Sequence, residues 1–278
     1  MVHHRIHHHL RSHLLFSLAI VVLVTTFIGQ AVVAKKTVSL PVQPNNPDGK
    51  LMTEPSVLVV PHHDLIRYLF PNFYEKVQNP EAFTKVLILS PNHFQTDSTK
   101  VKIRSESYLD TNGNEIPIDR KITDSLAEYV VVDNEVFDSE HGVQIHLPFI
   151  AQYFPDATVT SMLFTRVISS EDLRQIETQL KQVADEQTLI IVSTDFSHYL
   201  GYADAQERDK VTLRLMREQN NEEIASLNDE YLDCPTCLYL ASKLKPMNNF
   251  ELVFYDNSYN YLSLTDHDMT TSYFVLKW

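Results

Sequence analysis

Three short apolar runs, each halted by a proline or a hydroxyl-rich turn that carries histidine, limit what this chain can become. In SVLVVPHHD the run stops at Pro61 and His62 follows; in KVLILSPNHF it stops at Pro91, with His93 two residues on; in LIIVSTDFSH it gives way to Asp195 and His198. Runs of aliphatic and β-branched residues with no polar face read as strands buried on both sides, the pattern of a sheet lying under helices. In open α/β sheets, ligands bind beyond the carboxyl ends of the strands, where several loops open together. Proline cannot donate to a sheet ladder, so Pro61 and Pro91 each set a loop at that place.

The rest of the body keeps this alternation. Strands are expected at Ser56–Val60, Lys85–Ser90, Ala157–Phe164, Thr188–Ser193, Phe250–Tyr255 and Ser272–Leu276, and helices at Asp119–Val130, His146–Phe154, Ser169–Ala184, Ala203–Gln219 and Pro235–Leu244. Ser169 and Asp172 are spaced as a capping box, and the Asn-Gly in Leu109–Glu115 marks a hairpin turn. No repeat interrupts the pattern, so residues 51–278 read as one α/β domain with a central mixed sheet covered by helices.

The N-terminus reads differently. Residues 1–13 form a His-rich leader, 35–50 a Pro- and Asn-containing linker, and Leu14–Ala34 is a run of 21 residues without an ionisable side chain. About 20 apolar residues span a bilayer as a helix, so 14–34 is expected to be a transmembrane signal anchor holding an extracytoplasmic body at the membrane. Val32-Val33-Ala34 resembles a cleavage site, and cleavage there would make the protein secreted.

Four of the 23 Lys and Arg fall in residues 1–36 with no acid beside them, leaving 19 bases against 36 acids, a net charge of −17 on the remainder. Such a surface repels phosphate backbones and argues against a nucleic-acid partner.

Outside the leader, the histidines are His62, His63, His93, His141, His146, His198 and His267. Convergence of His62, His93 and His198 with Asp195 beyond three strand ends points to a mononuclear metal site, because neutral imidazole with a carboxylate suits non-haem iron. Asp195 serves there as ligand or as the group that orients one. Its three-residue spacing from His198 permits a shared face in a helical turn. Glu140 and His141 in DSEHGVQIHLPF are either a base and a further ligand or the partners that orient the ligands; His141 is expected to face the site in preference to His146. In DCPTC, Cys234 precedes a proline that opens a helix, where backbone N–H groups favour thiolate. It reads as a ligand or reactive thiol, with Cys237 structural or resolving, and a dithiol/disulfide pair as the rival. Asp266-His267-Asp268 reads as a solvated loop.

These motifs together resemble the Memo family, whose bacterial and archaeal members are called AmmeMemoRadiSam system protein B. The likeness runs through PHHDL (Pro61–Leu65), SPNHF (Ser90–Phe94), EHGVQIHLPF (Glu140–Phe149), STDFSHY (Ser193–Tyr199) and Cys234. Gln144 stands where the family usually has Glu, His63 and Asp64 where it has Ala-Gly, and CPTC in place of a glycine-rich turn. The resemblance implies a fold similar to class III extradiol dioxygenases and a site built from His62, His93, His198 and Cys234 with Asp195 beside them, holding iron or copper. It also implies radical-SAM and AMMECR-type partners.

The expected function is therefore a metal-binding α/β protein with iron- or copper-dependent redox or dioxygenase-like activity on a small molecule. In that reading Asp195, Glu140 or His141 moves protons. The alternative is a non-catalytic adaptor that binds a peptide or small ligand in the same pocket. A zinc hydrolase finds no supporting Ser or Thr motif.

Overall fold

The computed structural model describes residues 56–95 and 99–278, all within the unit Pro41–Trp278. In chain order the strands are β1 (Val57–Val60), β2 (Lys85–Pro91), β3 (Lys102–Ile103), β4 (Tyr108–Leu109), β5 (Glu115–Ile116), β6 (Val131–Val132), β7 (Thr158–Phe164), β8 (Thr188–Ser193), β9 (His198–Leu200), β10 (Glu251–Asn257) and β11 (Thr270–Lys277). The helices are α1 (Phe70–Tyr74), α2 (Arg120–Leu126), α3 (Asn134–Ser139), α4 (His141–Gln144), α5 (Leu147–Tyr153), α6 (Ser170–Val183), α7 (Tyr202–Arg217), α8 (Asn221–Ala225) and α9 (Pro235–Leu244), with 3₁₀ turns between some of them.

The main sheet runs β10-β11-β1-β8-β2-β7-β3-β6, with β9 paired to β11. Its centre, β1-β8-β2-β7, is parallel throughout. Antiparallel β11 and β10 extend one edge, and β3, antiparallel to β7, begins the other. The four central strands are buried along almost their whole length, which is why they carry no polar alternation. Phe70, Tyr74, Phe137 and Phe154 pack with Ile88 and Ile191 in the main core, and Tyr74 stacks on Phe149 with ring centroids 5.5 Å apart. Each such side chain contributes about 1.5–3 kcal/mol by leaving water.

Helix starts follow the local chemistry. Ser169 caps α6 by accepting a hydrogen bond from Asp172 N at 3.0 Å, and Ile176, Leu180 and Val183 form its buried stripe. The expected helix over 119–130 ends at Leu126, with Asp119 as its cap. The hairpin pairs Leu109 with Glu115, and Gly113 takes φ 82° in its turn, a conformation glycine adopts without steric cost. Pro91 is the last residue of β2 and does not halt the strand at Ser90. Residues 195–198 form no helical turn: His198 opens β9, opposite Thr271.

The leader, the expected anchor over 14–34 and the linker lie outside the described residues. The placement of the protein at a membrane is corrected: among the described residues, no helix is long and apolar enough to cross one.

Candidate metal centre

All four parallel strands deliver side chains to one cleft of about 560 Å³: His62 after β1, Asn92 and His93 after β2, Arg166 after β7, and Asp195 after β8. His141, His198, Asp229 and Asp233 also line it. The α3–α4 junction brings in Glu140 and His141, and residue 142 is glycine where the junction lies against the sheet. A Cβ there would collide with Ser90 Oγ and crowd Glu140 Oε1.

Nitrogens of His62, His93 and His141 lie within 4.8 Å of one another, and His62 forms a second group of the same span with Asp195 and Asp233. His62 Nε2 is 3.0 Å from Asp233 Oδ2 and 3.8 Å from Asp195 Oδ2. The other ring nitrogen, Nδ1, meets Ser193 Oγ at 3.0 Å. Ser193 Oγ in turn contacts His146 Nε2 at 3.0 Å, and His146 Nδ1 contacts Tyr74 OH at 3.0 Å. His62 is thereby oriented from the core with Nε2 toward the acids. His93 is held by Glu140, whose Oε1 lies 2.7 Å from Nδ1 and whose Oε2 accepts the His93 backbone N–H at 2.9 Å. A carboxylate behind an imidazole fixes its tautomer and leaves Nε2 for the cleft. Asp195 is a hub: Oδ1 accepts the His62 N–H at 3.1 Å and its carbonyl accepts the Asp233 N–H at 3.1 Å.

The charges follow from this packing. Burial pushes the His62 pKa down, but Asp195, Asp233 and Glu140 outweigh it and raise the value to about 9. Burial likewise opposes ionisation of Asp233, yet the imidazoles of His62, His198 and His93 hold it well below the usual carboxylate range. Glu140 is also lowered, its burial outweighed by the hydrogen bond and charge of His93 and by backbone N–H groups. His141 is pushed down by burial and by the charges of His93 and His62, and His146 by burial to about 3.

His62, His93, Asp195, Glu140 and His141 thus come together as a set. His198 lines the same cleft but stands outside the two tight groups; its Nδ1 is buried without a hydrogen-bond partner. Cys234 does not supply a thiolate: it caps α9 as expected, but its sulfur is bonded to Cys237, which corrects its place in the ligand set. Asp233, one residue earlier, carries the nearest carboxylate instead. His146 is fully buried and stacks on Phe70. Gln144 donates to Phe137 O at 2.7 Å, so it holds α3 to α4 and takes no part in the cleft. His63 caps the turn after β1 through Nδ1, which accepts from Leu65 N at 3.2 Å.

Sequence reasoning missed Asp233, Asn92, Arg166 and Ser193. For Ser193 the signal was its place as the last strand residue, two before Asp195; for Asp233 nothing local marked the carboxylate above its cysteine neighbour. The donors present fit a transition-metal ion. Three imidazoles and two carboxylates share one rim, and His198 Nδ1 is a buried acceptor or donor with no partner among the described residues.

A family profile described as Memo-like protein matches residues 34–272. The chain belongs to the Memo-like family. Relatives described as MEMO1 family proteins include one from Aquifex aeolicus, 24% identical over 179 residues, and one from Methanococcus maripaludis, 27% identical over 186 residues. In both, the match covers 62% of this chain and 64% of the relative, so this Memo-like chain aligns with somewhat under two thirds of their length. Among solved structures, an uncharacterised protein from Escherichia coli K12 is similar at TM-score 0.49 and 12% identity, covering 81% of this chain and 99% of that one.

Proposed function

We propose that this Memo-like protein holds one transition-metal ion in the cleft and carries out redox, dioxygenase-like chemistry on a small molecule admitted there. The observation that carries the reading is the rim of His62, His93 and His141, with Asp195 and Asp233 beside His62. Two imidazoles with a carboxylate and open positions favour iron(II), whereas copper(I) favours thiolate. With Cys234 tied to Cys237, iron is preferred to copper and zinc is the lesser candidate.

When bound, such an ion supplies Lewis acidity and a redox couple. The chain's own residues do the rest. Glu140 keeps the His93 proton on Nδ1, so Nε2 faces the cleft with a lone pair. Ser193 and His146 hold the His62 ring from behind. Asp233, ionised and next to His62 Nε2, stabilises the protonated ring, so the proton that His62 must lose before it can ligate goes to solvent. The substitution of Gln144 for the family's Glu gives no reason to prefer the non-catalytic adaptor, because that side chain is spent on Phe137 O.

The test is metal content of the full chain after separate exposure to iron(II) and copper(I) without air, compared with His62→Ala, His93→Ala and His141→Ala. The His-rich leader is present in every sample, so the difference reports the cleft. Loss of one equivalent in His62→Ala and His93→Ala is expected. Equal metal in wild type and all three variants would remove the metal and put the adaptor in its place.

A further inference from the structure

A second buried polar cluster, none of whose members lines the cleft, is centred on Asp209 in the middle of α7. Asp209 is fully buried. Its Oδ1 accepts the Ser197 hydroxyl at 2.6 Å, and its Oδ2 accepts the Ser272 hydroxyl at 2.7 Å and the Tyr255 hydroxyl at 3.0 Å. The Ser197 backbone N–H donates to it as well. One carboxylate thus gathers α7, β10, β11 and the segment that follows β8. All of these donors are neutral. Burial lifts the Asp209 pKa to about 6, so at pH 7 the fold keeps a negative charge away from water. A group that costs stability where it stands is accounted for by something other than core packing.

What Asp209 holds is the segment on which the cleft depends. Ser197 turns its side chain to Asp209, while Asp195, His198 and Tyr199 on either side of it line the cleft. Residues 194–197 belong to no strand or helix. Tyr199 has φ 61°, a backbone conformation that is costly for a bulky residue and is kept where surrounding structure imposes it. The backbone ties of the segment are few. Phe196 N–H donates to Ser272 O at 2.9 Å, Ser272 N–H to Ser197 O at 3.0 Å, and His198 N–H to Asp229 O at 3.0 Å. Ser272 and Ser197, the two residues joined by one of these bonds, are the same two whose hydroxyls Asp209 accepts.

We propose that Asp209 is a positioning residue of the cleft: acting through Ser197, it fixes the strained path of Asp195–Tyr199 and with it the places of Asp195 and His198. This deepens the metal-centre reading and rests on it only for the consequence in iron affinity. An apolar side chain at 209 would leave the Ser197 hydroxyl and N–H without their acceptor, and the segment would then open more readily than the sheet around it.

The test is amide hydrogen exchange of the metal-free full chain, read by mass spectrometry, with iron(II) affinity of the same samples measured by chelator competition without air. Asp209→Leu and Ser197→Ala are each expected to speed exchange across residues 196–200 about tenfold or more, the worth of a hydrogen bond to a charged group, and by a larger factor than any change in β1 and β2. Asp209→Asn, which offers Ser197 an oxygen in the same place, should stay within about threefold of wild type. Combining Asp209→Leu with Ser197→Ala should add nothing to the larger single effect, because both remove one contact. Iron(II) affinity should fall about tenfold in Asp209→Leu and in Ser197→Ala, the lower end of the loss when a partner behind a ligand is removed. Wild-type exchange at 196–200 in Ser197→Ala, additive effects in the double variant, or equal acceleration in β1 and β2 overturns the proposal, and so does a loosened segment with wild-type iron affinity. If Asp209→Leu does not fold, Ser197→Ala decides by the same readings. If the wild type binds no iron, the metal centre fails and the exchange pattern alone decides the positioning role. If iron binds and exchange is unmoved in the variants, the metal centre stands and the positioning role fails.

Discussion

Replacing Glu140 by Gln tests the central claim that a buried carboxylate orients His93. Glu140 is fully buried, and its two oxygens meet His93 Nδ1 at 2.7 Å, His93 N at 2.9 Å and Gly142 N at 3.0 Å. Glutamine has one acceptor and one donor of the same shape. Placed with its oxygen at the Oε1 position, it keeps His93 Nδ1 and Gly142 N but sets its NH₂ against the His93 backbone N–H. Two donors, the His93 N–H and the new NH₂, are then unmet, a cost of about 1–3 kcal/mol each, or roughly 4–24 °C in the unfolding midpoint of a domain this size. The negative charge behind His93 is also gone, which lowers the basicity of Nε2. Loss of such a partner weakens metal binding about 10–100-fold. The assay is competition of iron(II) against a chromophoric chelator, with thermal unfolding of the same metal-free samples. Wild-type metal affinity in Glu140→Gln, alongside lost affinity in His93→Ala, would refute the orienting role. Wild-type stability would refute the hydrogen-bond accounting.

Three further outcomes follow from the same geometry. His62 titrates at about 9 in the metal-free protein and must be neutral to ligate, so apparent metal affinity should rise about tenfold per pH unit from 7 toward 9 and then level; proton release measured on metal addition checks it. Burial raises the Asp209 pKa to about 6 despite hydrogen bonds from Ser197, Ser272 and Tyr255. Its folded value lies above its unfolded one, so its contribution is fully present below pH 3.8 and is lost as pH rises through 6, about 3 kcal/mol in all; Asp209→Asn should remove that part of the pH dependence of denaturant unfolding. Gly142→Ala places a Cβ against Ser90 Oγ and Glu140, and should cost about 1–3 kcal/mol and weaken metal binding more than an alanine elsewhere in α4, as read by unfolding and the same chelator competition.

The contrast between Cys234 and Asp233 shows where local reading stops. Proline after Cys234 announced a helix start, and α9 begins there. Whether the sulfur faces a metal or another sulfur depends on the side-chain directions of two residues three apart, and in the fold they bond. The carboxylate that does face His62 belongs to Asp233, whose backbone N–H is bound by Asp195 O, 38 residues earlier in the chain. Similarly, the place of Asp195 and His198 in one cleft was legible from their position after a strand, but the helical turn that their spacing permits does not form, because pairing with β11 claims His198.

What the sequence by itself determined is the framework: strands without polar faces are buried within a mixed sheet under helices, and the histidines placed just beyond three of them line one cleft. Those conclusions rest on periodicity and hydrogen-bonding rules that act within a few residues. The family was legible for the same reason, from ordered short motifs. Only the tertiary structure decided which heteroatoms share the rim, that Cys234 is withheld from it, and that β7 brings Arg166 to the same opening. Those outcomes depend on strand order and on contacts between residues tens to more than a hundred positions apart, and no local pattern encodes such distances.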